Sequence, residues 1–156
     1  MASFVIGVIG PGDGSSPDER RAAETVGALI ARAGHIVITG GLGGVMESAS
    51  SGAAGEGGIV VGLLPGDDRR SANAHVTVAL PTGLGELRNG LLVRSCDAII
   101  AVGGSWGTLS EIALAVRTGV PVVSLAGWDL PEPGPVSVST PEEAAATALR
   151  LAERAR

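Results

Sequence analysis

The chain has 156 residues, a formal net charge of −5, 45% hydrophobic residues and only 2% aromatic ones. That length reads as one domain, 1–156, able to bury a core without disulfides or metals, and no apolar run approaches the ~18 residues of a membrane span. An acidic chain with few stacking rings is a poor partner for nucleic acid, and with no Lys anywhere it can form neither a pyridoxal phosphate Schiff base nor a Walker-A clamp.

The opening residues lack a basic leader and run straight into a glycine turn, so 3–9 is predicted as the first strand of a cytoplasmic protein. A loop built on Gly10, Gly12 and Gly14 follows, and its spacing does not form the dinucleotide fingerprint. Ser16, Pro17 and Glu19 then start a helix with a capping box, and Ala22, Val26, Leu29, Ile30 and Ala33 form its apolar stripe. Residues 35–38 make the second strand.

A second glycine turn, with Gly40, Gly41, Gly43, Gly44 and Met46, leads into a small-residue helix over 45–54. Such glycines serve either tight strand–helix packing or a ligand, and both readings are open here. Residues 59–64 are the third strand and 75–79 a short strand at an edge. His35 and His75 stand apart with no cluster of acids or cysteines, so no metal site is expected. Residues 83–94 read as a helix with Leu84, Leu87, Leu91 and Leu92 on one face and Arg88 near its start.

The most informative stretch comes next. An apolar, β-branched strand over 96–102, with Cys96 as a core thiol, gives way to Gly103, Gly104, Ser105, Trp106, Gly107 and Thr108, and then to a helix through Glu111. Backbone N–H groups at a helix start are unsatisfied and point along a partly positive dipole end, so this turn suits a phosphate. Thr108 and Glu111 also have capping-box spacing, which leaves Glu111 as either a cap or a site residue. The remaining elements are a strand at 121–125, a proline-rich loop with Trp128, a short strand at 136–138 and a final helix capped by Thr140 and Glu143. Strands alternating with helices predict an α/β fold: a single-domain, Rossmann-like, doubly wound and mostly parallel sheet flanked by helices. Both glycine turns then lie at the carboxyl ends of strands, where open α/β sheets bind ligands.

Laid out this way, the chain resembles the LOG (LONELY GUY) superfamily, and more closely its molybdenum cofactor carrier branch. Arg88, Asp97, Gly104, Gly107, Thr108 and Glu111 match that motif, as do Gly40, Gly41, Gly44 and Met46 upstream. Gly103 stands in place of the motif proline, Ser105 in place of a glycine, and Asn89 where the phosphoribohydrolases have Lys. The resemblance implies a nucleotide-like phosphate ligand at the two turns and, with Arg88 and Glu111 as catalytic pair, hydrolysis of the N-glycosidic bond of a nucleoside 5'-monophosphate. Its alternative implication is a non-catalytic carrier of molybdenum cofactor or a related pterin or nucleotide. It also implies a homodimer or higher homo-oligomer, and no resident cofactor is expected.

Overall fold

The computed structural model describes residues 2–156; Met1 lies outside them. Among the described residues the order is β1 (Val5–Ile9), α1 (Pro17–Arg32), β2 (Ile36–Thr39), α2 (Val45–Gly55), β3 (Val60–Leu64), β4 (Val78–Pro81), α3 (Arg88–Arg94), β5 (Ala98–Val102), α4 (Trp106–Thr118), β6 (Val122–Leu125), β7 (Val136–Val138) and α5 (Pro141–Ala155). The seven strands form one sheet in the order β4-β3-β2-β1-β5-β6-β7. Every pairing is parallel, edges included, where a mostly parallel sheet was expected.

Strand order reverses between β1 and β5, which makes their carboxyl ends the topological switch point of a Rossmann-like α/β fold. Alternation along the strands sends Ile6, Val8, Ile100 and Val102 to the face covered by α1, α2 and α5, and Ile9, Ile99 and Ala101 to the face covered by α3 and α4. The sheet thus holds the β2 and β5 turns on either side of the β1 end, all at its carboxyl edge.

Helix starts follow the sequence. Ser16 accepts from the Glu19 N–H at 3.1 Å and Glu19 returns the bond to Ser16 N–H at 3.0 Å, with Pro17 in the first turn. Thr140 caps α5 through the Glu143 N–H at 3.1 Å. Of the predicted α1 stripe, Val26 and Ile30 are fully buried and Ala22 and Leu29 pack against the core at partial burial, while Ala33 is exposed; Ala23 and Gly27 complete the buried line. Gly27 lies directly against the Ala49 carbonyl of α2, so the small-residue side of α1, not its bulkiest side, makes the closest approach.

The largest correction concerns 83–94. Gly83 (φ 66°) and Gly85 (φ 60°) adopt left-handed backbone that a regular helix cannot contain, so a single 3-10 turn, Gly85–Leu87, precedes a helix that starts only at Arg88. Of the predicted leucine face only Leu92 is buried; Leu87 is 79% exposed, and Leu84 and Leu91 are exposed too. The predicted edge strand at 75–79 likewise forms later, as β4. Cys96 packs at the foot of the sheet, where burial, aided by the Glu111 and Asp97 charges, pushes its thiol up to about 12, so it stays un-ionised at neutral pH.

Candidate functional site

A crevice of about 310 Å³ opens at the switch point. The β1 end supplies Gly10 and Gly12, the β2 turn supplies Gly40 and Met46, and the β5 turn supplies Ser105, Gly107 and Thr108. The 3-10 turn and α3 close it from the side with Glu86, Arg88 and Asn89, and α4 contributes Glu111. That volume is in the range of small-molecule sites. Two carboxyl-end turns and one side helix therefore face a single space.

Two charged side chains are buried there, Arg88 at 9% exposure and Glu111 at 8%. The Arg88 guanidinium lies against the Gly40 backbone: a Cβ at Gly40 would stand 2.6 Å from Nη2, so the missing side chain is what admits the arginine. Nη1 donates to the Asn89 Oδ1, while the buried Nε has no hydrogen-bond partner among the described residues. A buried donor without a partner costs about 1–3 kcal/mol, more when charged. An anion entering the crevice would relieve that cost.

Glu111 answers the question its spacing left open. Its helix is capped by Ser105, whose Oγ accepts the Thr108 N–H at 3.2 Å and lies 2.9 Å from the Thr108 hydroxyl. Thr108 is therefore the third residue inside the helix, not its cap, and the Thr108–Glu111 capping box does not form. Glu111 instead faces the crevice, where burial, only partly offset by the Arg88 charge, pushes its carboxyl up to about 7. Burial lowers the pKa of Arg88, opposed by the charges of Glu111 and Glu86. The two are coupled through space, with no direct ion pair between them among the described residues.

The other expected residues fall around this pair in graded positions. Gly10, Gly40, Met46, Ser105, Gly107 and Thr108 line the crevice with it. Gly41, Gly43 and Gly44 shape the β2 turn behind its wall; Gly44, the α2 N-cap, packs directly on the Gly12 carbonyl. Gly103 and Gly104 line a narrow cleft beside Trp128, and Trp106 stands out at 80% exposure. Asp97, which matches the resemblance motif, is at the other end of β5, where its Oδ2 accepts the Val5 N–H at 2.8 Å and ties β1 to β5. It holds the sheet rather than a ligand. Wall residues beyond the expected site set are Gly12, Leu42, Pro65, Gly85, Glu86 and Asn89; of these Gly12 reads in the sequence only as a loop glycine and Asn89 only as a departure from the motif, and the others have no signal there but their place next to marked residues.

Among the described residues no group of three His, Cys, Asp or Glu side chains could hold a metal ion, and no helix is long and apolar enough to cross a membrane.

A parallel sheet with a crevice at its switch point, two helix starts and a buried arginine defines a Rossmann-like protein of the LOG and molybdenum cofactor carrier-like superfamily. Within it, the SLOG cluster4 family profile matches residues 3–153, and the chain belongs to that family. It is 45% identical over 144 residues to an uncharacterized protein of Archaeoglobus fulgidus, covering 92% of this chain and 93% of that one. Among solved structures it is similar to the molybdenum cofactor binding protein of Rippkaea orientalis, with 37% identity over 97% of this chain and 98% of that one and a TM-score of 0.92. It is also similar to the Moco carrier protein of Chlamydomonas reinhardtii, with 32% identity over 98% and 99% of the two chains and a TM-score of 0.90.

Proposed function

We infer that this protein binds molybdenum cofactor, or a related anionic pterin or nucleotide, in the switch-point crevice and acts as a carrier. The observation that carries the reading is Arg88, buried with an unpartnered Nε beside the start of α4. The first turn of α4 contains no acid. A helix start free of acid and a buried guanidinium together favour a phosphate group. Likeness to a cofactor binding protein and a carrier protein over nearly whole chains supports the choice of ligand class. The α2 start differs: Glu47 lies in its first turn, and Glu47 and the Asp13 carboxylate sit near Gly43. Those carboxylates are exposed and outside the crevice lining, and suit hydroxyl or N–H donors on a part of the ligand that extends beyond it. The resident ligand is thus the cargo, and the setting is the cytoplasm.

A second reading rests on Glu111. A buried carboxyl that titrates at about 7 next to an arginine is what a hydrolase of nucleoside 5'-monophosphates would use to stabilise positive charge on the sugar and to take a proton from water. The same account extends to a homodimer, for which the exposed Leu84 and Leu87 ahead of α3 and Leu91 within it offer apolar surface.

The test is made on purified protein in two arms. Denaturing extraction followed by mass spectrometry should release a stoichiometric phosphorylated pterin or nucleotide, or the protein should take one up when it is supplied. Incubation with a panel of nucleoside 5'-monophosphates should release no free base. Base release abolished in Glu111→Gln would replace the carrier reading with the hydrolase, and failure to hold any such ligand would remove both.

A further inference from the structure

The chain has two tryptophans, and both lie beside the α4 turn: Trp106 opens the helix and Trp128 lines the narrow cleft next to Gly104. Trp106 is the first residue of α4, between Ser105 and Gly107, each of which lines the crevice. Trp128 follows β6 and seats its indole on Gly104, where a Cβ would be 2.7 Å from both Cδ1 and Nε1. A side chain at 104 would push the ring away. The two indoles meet edge to face, with centroids 5.0 Å apart and planes at 76°. Trp128 is thereby held on one side by backbone, while Trp106 keeps 80% of its surface in water. Trp106 contributes little to the core of α4, whose buried line is Thr108, Glu111, Ile112 and Ala115.

An anion at the start of α4 interacts with the N–H groups of its first turn, and Trp106 belongs to that turn. Trp106 is outside the crevice lining but its two neighbours are in it, so a ligand held there by its phosphate reaches the open indole where its body extends past Ser105 and Gly107. We propose that Trp106, steadied by Trp128, is the stacking platform for the planar heteroaromatic ring of a phosphate ester bound at α4, and so selects ring-bearing esters over sugar phosphates. This rests on the anion site assigned above and adds to it the residue that recognises the ring. Base–indole stacking is tolerant of ring identity because every such ring has a π face, which fits a site serving the pterin and purine classes alike. The acid-free first turn leaves the phosphate unopposed while the ring is held by contact.

The experiment is calorimetric titration of the full-length wild type, Trp106→Ala and Trp106→Phe with guanosine 5'-monophosphate, a phosphorylated pterin and ribose 5-phosphate, with oligomeric state measured by light scattering. Trp106 is exposed, so both variants fold. The proposal expects at least a 10-fold loss of affinity for the ring-bearing esters in Trp106→Ala, recovery to within about 3-fold of wild type in Trp106→Phe, and unchanged affinity for ribose 5-phosphate. Equal affinity of wild type and Trp106→Ala for the ring-bearing esters overturns it, as does an equal loss for ribose 5-phosphate. Loss of self-association with unchanged ligand binding also overturns it and makes Trp106 a contact between copies. If wild type binds none of the three, the anion site itself fails and the platform with it; if wild type binds all three alike, the anion site stands and the platform falls.

Discussion

The β2–α2 and β5–α4 turns look alike in sequence, each a glycine cluster between an apolar strand and a helix, yet they are built differently. α4 begins with its own hydroxyl cap, Ser105 on Thr108, and carries no acid in its first turn. α2 begins at Gly44 (φ 66°), which offers no side-chain cap, and carries Glu47 in its first turn. The second helix start has its dipole partly answered by a carboxylate, and the first does not. In the proposed function the two turns divide the labour, phosphate at α4 and donor groups at α2; Arg88 lies against Gly40 between them.

The strongest way to break that division is to make the α4 turn resemble the α2 turn. A side chain at Gly107 has room, with only the Ser105 Oγ, at 3.9 Å, near its Cβ position. Gly107→Asp should leave the fold intact by circular dichroism and thermal melting, and should cut affinity for phosphate esters at least 100-fold in calorimetry, because a second anion a few ångströms away costs about 3–4 kcal/mol in a partly solvated site. Next in size is Arg88→Met, which removes the buried donor and keeps the bulk; a 10- to 100-fold loss is expected, the value of a charged hydrogen bond.

The third effect is one of pH. With the Glu111 carboxyl at about 7, the group is neutral at pH 6 and ionised at pH 8, so affinity for a phosphate ester should fall as pH rises through 7. Glu111→Gln should flatten the profile. The same residue sets a stability trend: its folded pKa is raised above the ordinary carboxylate value, so the native state binds the extra proton and stability declines with pH from about 4.5 to about 7. Glu111→Gln should then raise stability at pH 8 by roughly 1–3 kcal/mol in denaturant titration. The smallest effect belongs to the other turn, where Glu47→Gln should improve phosphate affinity by only about 2- to 5-fold, the scale of one charge at a helix end.

How much of this was legible in the sequence varied with the range of the interaction. Caps are local, so Ser16, Glu19 and Thr140 marked their helices correctly. The glycine turns were legible as strand-to-helix connections at the carboxyl ends of their strands. What the local pattern could not say was which of two caps α4 would use: Ser105 and Thr108 share the spacing of Thr108 and Glu111, and the choice of Ser105 frees Glu111 for the crevice. The leucines of 83–94 repeat at helical spacing whether or not they meet the sheet, and the left-handed Gly83 and Gly85 displaced the helix so that Arg88, rather than Leu84 or Leu87, turned inward. Asp97 matched a motif and proved to be a tie between β1 and β5, since a matching position does not reveal which end of a strand faces the ligand.

The most direct measurement is a side-by-side titration of wild type, Gly107→Asp and Glu47→Gln with a phosphorylated pterin. The account predicts saturable binding by wild type, near-complete loss in Gly107→Asp and a slight gain in Glu47→Gln. Unchanged binding in Gly107→Asp, or loss in Glu47→Gln, would contradict the placement of the phosphate at α4.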